Sequence, residues 1–190
     1  MSFLVLVPLL PLLTAFIVMT GDRAEQDQNA RAGLLPIVAS FLGALLTLAL
    51  VTSGGPVTIQ WYDPAAISNL AFPIGFYIDR LSAVMMVLIT GVTTLIYRYS
   101  MGYMYQDRGY RRYLGMLGLT TAVLLCMVSS ANLVMLFIFW QILSWLLFLL
   151  AHNHGHAATL SGAANTFTML RLSDAAFLAG IVLAYSLYGT

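Results

Sequence analysis

The run Leu133-Val134-Met135-Leu136-Phe137-Ile138-Phe139-Trp140-Gln141-Ile142-Leu143-Ser144-Trp145-Leu146-Leu147-Phe148-Leu149-Leu150-Ala151 contains no charged side chain. A bilayer core of about 30 Å is crossed by roughly 20 apolar residues in a helix, so this stretch alone reads as a membrane span. The rest of the chain agrees. Of 190 residues, 61% are apolar and 8% charged, with a mean hydropathy of +0.90, whereas a soluble domain carries roughly a quarter charged residues. Eight Arg, no Lys, six Asp and the single Glu25 leave no basic patch for nucleic acid and no acidic tail. The apolar content excludes disorder, and the lone Cys126, set in an apolar run, excludes a disulfide scaffold.

Working outward from this span, comparable runs occupy Phe3–Thr20, Gly33–Ser53, Phe76–Tyr97, Tyr113–Val128 and Phe167–Tyr188, giving six in all. They are too long and continuous for barrel strands, which are about ten residues of alternating character, and a spanning helix satisfies its own backbone groups. The sequence therefore predicts an all-α integral membrane protein, a single transmembrane helical domain over residues 1–190. No Arg precedes the first run and Thr20-Gly21-Asp22-Arg23 is a poor cleavage site, so that run is read as a retained helix rather than a signal peptide. The segment Pro56–Pro73 alone has strand chemistry, Val57-Thr58-Ile59-Gln60-Trp61-Tyr62 before an Asp63-Pro64 turn, and predicts a short outside hairpin.

Arginines set the expected orientation. Arg23 and Arg31 follow the first run, Arg98, Arg108, Arg111 and Arg112 join the third to the fourth, and Arg171 lies near the loop after the fifth; only Arg80 falls on the other side. Both termini are accordingly expected outside a bacterial inner membrane, with the arginine-bearing loops in the cytoplasm.

Charge inside a span is costly and usually paired, which makes each instance a functional candidate. Asp79 and Arg80 stand at the outer end of the third run, where Asp79 would share a face with Ala83, Met86, Thr90, Thr94 and Tyr97, and an interfacial charge pair over a packing face is the plainer reading. Gln141 and Ser144, three apart in the fifth run, can hydrogen-bond to another helix, but a neutral amide carries no proton. Arg171 and Asp174, also three apart, can meet on the surface of the sixth helix as a structural ion pair or as part of an ion path. His152, His154 and His156 suggest zinc by spacing, yet no Cys, Asp or Glu completes a site, so a solvated loop with proton-buffering capacity is the simpler reading. No catalytic site, resident cofactor or metal centre is expected in this chain.

The order of these features resembles the antiporter-like family that includes the L subunit of respiratory complex I, Mrp-type cation/proton antiporter subunits and hydrogenase membrane subunits. Phe76-Tyr77-Ile78-Asp79-Arg80-Leu81-Ser82-Ala83-Val84-Met85-Met86 is similar to its hxDxLSxxM helix, and Tyr99-Ser100-Met101-Gly102-Tyr103-Met104 to its YSxxYM helix end. Ser130-Ala131-Asn132-Leu133 leading to Trp140 resembles its xxNLxxxFxxWE helix, and Arg171-Leu172-Ser173-Asp174 its RxGD motif.

The resemblance implies proton or sodium movement through buried polar groups, in which a Glu of the fifth helix pairs with a Lys of the seventh. Gln141 stands at that Glu position and the chain has no lysine. Family members carry more helices than six, so the resemblance covers their N-terminal part. The neutral Gln141 points toward the relatives that serve DAB-type inorganic-carbon accumulation complexes, which implies a large zinc-binding, carbonic-anhydrase-like partner. Zinc would then belong to that partner. A proton-pumping L-type subunit of a complex I or hydrogenase-like oxidoreductase, and a non-conducting membrane anchor, are the alternatives. On the transport reading, Arg171, Asp174, Gln141, Asp79 and Ser144 contribute to the ion pathway, with His152, His154 and His156 at a cytoplasmic proton entry.

Overall fold

The computed structural model describes residues 6–21, 26–62, 74–105, 107, 109–151 and 157–188. Six helices and one hairpin follow in the order α1 (Leu6–Thr20), α2 (Gln26–Gly54), β1 (Val57–Tyr62), β2 (Ile74–Ile78), α3 (Arg80–Tyr103), α4 (Tyr110–Val128), α5 (Leu133–Ala151) and α6 (Ala157–Tyr188). Five of these helices, α2 to α6, are long and apolar enough to cross a membrane; α1, 15 residues as described, is shorter. The expected helical membrane class is thus present.

Three helices begin earlier than hydropathy suggests, because a first stretch of polar residues in α2 and α4, and of mostly small residues in α6, extends beyond the apolar span. In α2 the added residues include Asp27, which pairs with Arg31 one turn later at 3.0 Å. The α4 start moves to Tyr110, and α6 starts at Ala157 instead of Phe167.

The opposite correction applies to α3. Phe76-Tyr77-Ile78 was expected inside the third helix, but these residues pair with Ile59, Thr58 and Val57 as β2. Asp79 is the N-cap: its backbone is extended and its Oδ1 accepts a hydrogen bond from the Ser82 backbone N–H at 2.7 Å. A cap residue lies outside the helix it closes, so the Asp79-to-Ser82 spacing fixes the boundary where hydropathy runs straight through it. The expected hairpin is therefore present, but its second strand falls beyond Pro73. Asp79 also precedes the face it was expected to share, and the buried face of α3 is Ala83, Met86, Thr90, Thr93, Tyr97 and Ser100.

Gly55, at a positive φ of 87°, turns the chain from α2 into β1. The hairpin is antiparallel, and β2 also reaches the α4–α5 connection: the Tyr77 N–H donates to the Ser129 carbonyl at 2.8 Å and the Ala131 N–H to the Gly75 carbonyl at 3.1 Å. The hairpin thereby closes one end of the bundle.

Helices α1, α2, α3 and α4 pack together, α5 packs on α4, and α6 packs mainly on α5. Small residues permit the closest approaches. A Cβ added at Gly118 would lie 3.0 Å from the Pro11 carbonyl oxygen, and one at Gly33 would lie 2.7 Å from Val18. Hydroxyls tie neighbouring helices through carbonyls: Thr14 donates to Gly33 at 2.8 Å, Ser40 to Val7 at 2.9 Å, and the buried Tyr97 to Ala30 at 3.1 Å. One apolar cluster at the hairpin end includes Val7, Val51, Ile78, Met86 and Leu125; a second includes Val18, Ile37, Tyr97, Tyr110 and Leu114.

Near that second cluster, α4 opens with two arginines that serve different neighbours. Arg111 donates to the Val18 and Met19 carbonyls at 3.1 and 2.7 Å, at the end of α1, while Arg112 donates to Leu149 at 3.0 Å, at the end of α5. The last carbonyls of a helix lack intrahelical partners and favour positive charge, so one dipeptide fastens two helix ends.

Candidate functional site: a charged cluster between two helices

Helices α5 and α6 meet through contacts whose numbering runs in opposite directions. Phe137 and Trp140 both meet Phe177 edge-on, at 5.7 and 6.2 Å between ring centroids. Further along α5, Trp140 reaches Asp174, and Gln141 and Trp145 reach Arg171. The two helices are therefore antiparallel, and Arg171 lies level with the middle of α5. This sets its depth better than its distance from either end of the long α6.

The cluster is built on the Arg171–Asp174 pair. Arg171 Nη1 and Asp174 Oδ2 are 3.3 Å apart, with the Asp174 side chain 6% exposed and that of Arg171 33%. Their three-residue spacing brings both to one side of α6. Across the interface, Arg171 Nη1 donates a hydrogen bond to Gln141 Oε1. The Trp140 indole Nε1–H donates to Asp174 Oδ1 at 2.8 Å. The Arg171 guanidinium carbon also sits 5.4 Å from the centroid of the Trp145 ring, within cation–π range.

Each carboxylate oxygen of Asp174 thus has a different partner, a neutral indole N–H on α5 and a charged guanidinium on its own helix. Arg171 in turn holds a carboxylate and a neutral amide. Removing the charge of Asp174 would leave Arg171 its amide and aromatic partners, so the guanidinium has an alternative set of contacts already in place. A cleft of about 310 Å³, lined by Met127, Leu136, Trp140, Ser173, Asp174 and Phe177, borders the carboxylate.

Of the residues singled out from sequence, Arg171, Asp174 and Gln141 come together. Ser144 is buried on α5 at 5% exposure, one turn from Trp140. Asp79 belongs to a different part of the fold, since α3 and α5 each pack on α4; its engagement by the Ser82 backbone N–H holds its carboxyl below the usual 3.8. His152, His154 and His156 lie outside the described residues. The two indoles were missed as site residues. Their signal was available: Trp145 is one turn from Gln141, and a tryptophan beside a buried carboxylate supplies a donor and nothing else.

The sequence has relatives that cover nearly all of it. A family described as NADH-ubiquinone oxidoreductase (complex I), chain 5 N-terminus, matches residues 61–114, a segment that includes the Asp79 cap and α3. NAD(P)H-quinone oxidoreductase subunit 5 from the chloroplast of Zygnema circumcarinatum is 34% identical over 97% of this chain and 28% of its own length. NADH-quinone oxidoreductase subunit L of Mycobacterium tuberculosis is 33% identical over 95% of this chain and 29% of its own. A probable inorganic carbon transporter subunit, DabB1 of Halothiobacillus neapolitanus, is 32% identical over 97% and 32%. The chain therefore spans less than a third of the length of each of these relatives. In fold it resembles a chain in the structure of the membrane-bound sulfane sulfur reductase, an archaeal respiratory membrane complex, with a TM-score of 0.72 at 17% identity over 100% of this chain and 37% of that one. By sequence, the chain is a relative of the antiporter-like membrane subunits, the group of complex I subunit L/5 and DabB1.

Proposed function

We propose that this chain contributes the N-terminal part of a cation- or proton-translocating subunit in a multi-subunit complex of the bacterial inner membrane. The observation that carries the reading is Arg171 placed between a carboxylate and an amide at the middle of α5, with Asp174 held in turn by Trp140. A proton delivered to Asp174 removes its attraction for Arg171, and the guanidinium then rests on Gln141 and the Trp145 ring. Losing that proton restores the pair. Gln141 holds the guanidinium without taking a charge of its own.

Replacing Asp174 by Asn, or Arg171 by Ala, is expected to abolish the cellular function while the complex remains assembled. Wild-type function in both variants would overturn the reading and leave the anchor role, as would insensitivity of the intact complex to a protonophore.

The coupled process is proposed to be uptake of inorganic carbon, through a large zinc-binding, carbonic-anhydrase-like partner. Two features support this: the likeness to DabB1 and the neutral Gln141 where the resemblance leads one to expect Glu. The second reading, a proton-pumping subunit of a complex I or hydrogenase-like oxidoreductase, is favoured by the subunit L and subunit 5 relatives at similar identity. Mass spectrometry of the purified complex separates them. A large zinc-binding subunit is expected; iron–sulfur and quinone-reactive subunits in its place would favour the second reading. In either case the arginine-rich ends of α3 and α4 are assigned to the cytoplasm and the hairpin to the outside.

A further inference from the structure

We propose that the groove between the start of α2 and the end of α3 is a binding site for an anionic phospholipid, whose phosphate is held by Arg98 and Arg31. The groove, about 500 Å³, is lined by Asp27, Arg31, Arg98, Met101 and Gly102. Arg31 shares its charge with Asp27 at 3.0 Å, yet its side chain is 73% exposed and retains donors for a second partner. Arg98 is exposed on α3, and among the described residues no carboxylate lies within ion-pair distance of it. Among the described residues that line the groove, two guanidinium groups and one carboxylate leave one positive charge over, which a phosphodiester would balance.

The surface next to it is shaped for the rest of a lipid. On the neighbouring face of α3, a second groove of about 460 Å³ is lined by Leu95, Ile96, Tyr99, Ser100, Tyr103, Met104 and Tyr113. It is almost wholly apolar, and Leu95, Tyr99 and Tyr103 are 72%, 69% and 78% exposed. Tyr99 and Tyr103 stack at 5.6 Å between ring centroids, forming an aromatic wall at the end of the span. Tyrosines of this kind sit at headgroup level, with the ring against apolar material and the hydroxyl in water. A charged groove followed by an apolar one, both at the C-terminal end of the same helix, matches a headgroup and an acyl chain. A free phosphate would use only the first.

The test uses the intact complex in nanodiscs, with photoactivatable phosphatidylglycerol or phosphatidylcholine of the same chain length. Phosphatidylglycerol is expected to label peptides from residues 95–104, and phosphatidylcholine to label them less. Each arginine near an anionic membrane surface contributes about 1 kcal/mol, so Arg98→Gln is expected to lower the labelling about fivefold. Arg98→Lys should retain most of it, and Arg80→Gln, at the far end of α3, should leave it unchanged. Arg98 is exposed, so the variants keep the fold; unchanged elution of the complex checks this. Equal labelling by both lipids, undiminished labelling in Arg98→Gln, or complete displacement by inorganic phosphate would overturn the proposal.

Discussion

A tryptophan beside a carboxylate is easily taken for apolar filling, yet the Trp140 N–H is one of the two groups that hold Asp174. The bond is charge-assisted, and such bonds are stronger than neutral ones. Trp140→Phe keeps an aromatic ring for the edge contact with Phe177 and removes the donor together with part of the indole's volume, a packing loss common to both backgrounds of the cycle below. A loss of about 1.5 kcal/mol is expected, at the low end for bonds to charged groups. In an Asp174→Asn background the same change should cost less, because the acceptor is neutral. Denaturation of the four proteins of this double-mutant cycle in detergent measures the difference; an equal loss in both backgrounds would show that the charge of Asp174 adds nothing to the bond. Arg171, Asp174 and Gln141 were legible as single letters because a charge or amide in an apolar run stands out. The indoles were not, since tryptophan is common in such runs and becomes polar only where a partner meets its one N–H.

Among the elements, α3 shows how a cap overrides hydropathy. Phe76–Ile78 is as apolar as the helix that follows, and the boundary between strand and helix is set by one carboxylate and one backbone N–H. Asp79→Ala should cost about 1 kcal/mol and Asp79→Asn a few tenths at most. Because the folded-state carboxyl sits below its ordinary 3.8, its contribution is complete above that pH and is lost as the pH falls through the lower folded value. Thermal melts at neutral pH that find Ala and Asn equally damaging would remove the cap from the account. A second element-scale expectation concerns α1 against α4. Gly118→Val would push side-chain atoms against the backbone of Pro11 and Ala15, whose nearest atoms lie 3.0 and 3.2 Å from an added Cβ. Overpacking of this kind typically costs 1–3 kcal/mol. At Gly54 nothing lies within 4 Å of an added Cβ, so Gly54→Ala is the matched control and should change stability little. The extent of the helices was readable from apolar runs, but this contact was not, because a glycine in a span looks the same whether it faces lipid or a neighbouring backbone.

For the whole molecule, the distribution of arginines predicts a direction across the membrane. The hairpin caps one end of the bundle and Arg98, Arg111 and Arg112 gather toward the other, where the two α4 arginines also hold the ends of α1 and α5. What could not be read along the chain is which helices become neighbours: Arg111 reaches back 93 positions to Val18 and Arg112 forward 37 to Leu149, and no local pattern encodes either choice. The asymmetry itself makes orientation measurable. The native chain has a single cysteine, Cys126, which is buried at 7% exposure, so a membrane-impermeant maleimide should label the unaltered protein poorly. Thr58→Cys places a thiol on an exposed position of β1, and Tyr103→Cys places one at the end of α3, at a site 78% exposed. If the arginine excess governs insertion, Thr58→Cys is labelled in intact spheroplasts and Tyr103→Cys only after the membrane is opened. The reverse pattern would put the hairpin in the cytoplasm. The phospholipid proposed at Arg98 would then face the outer leaflet, and any proton path through Asp174 would run with its ends exchanged.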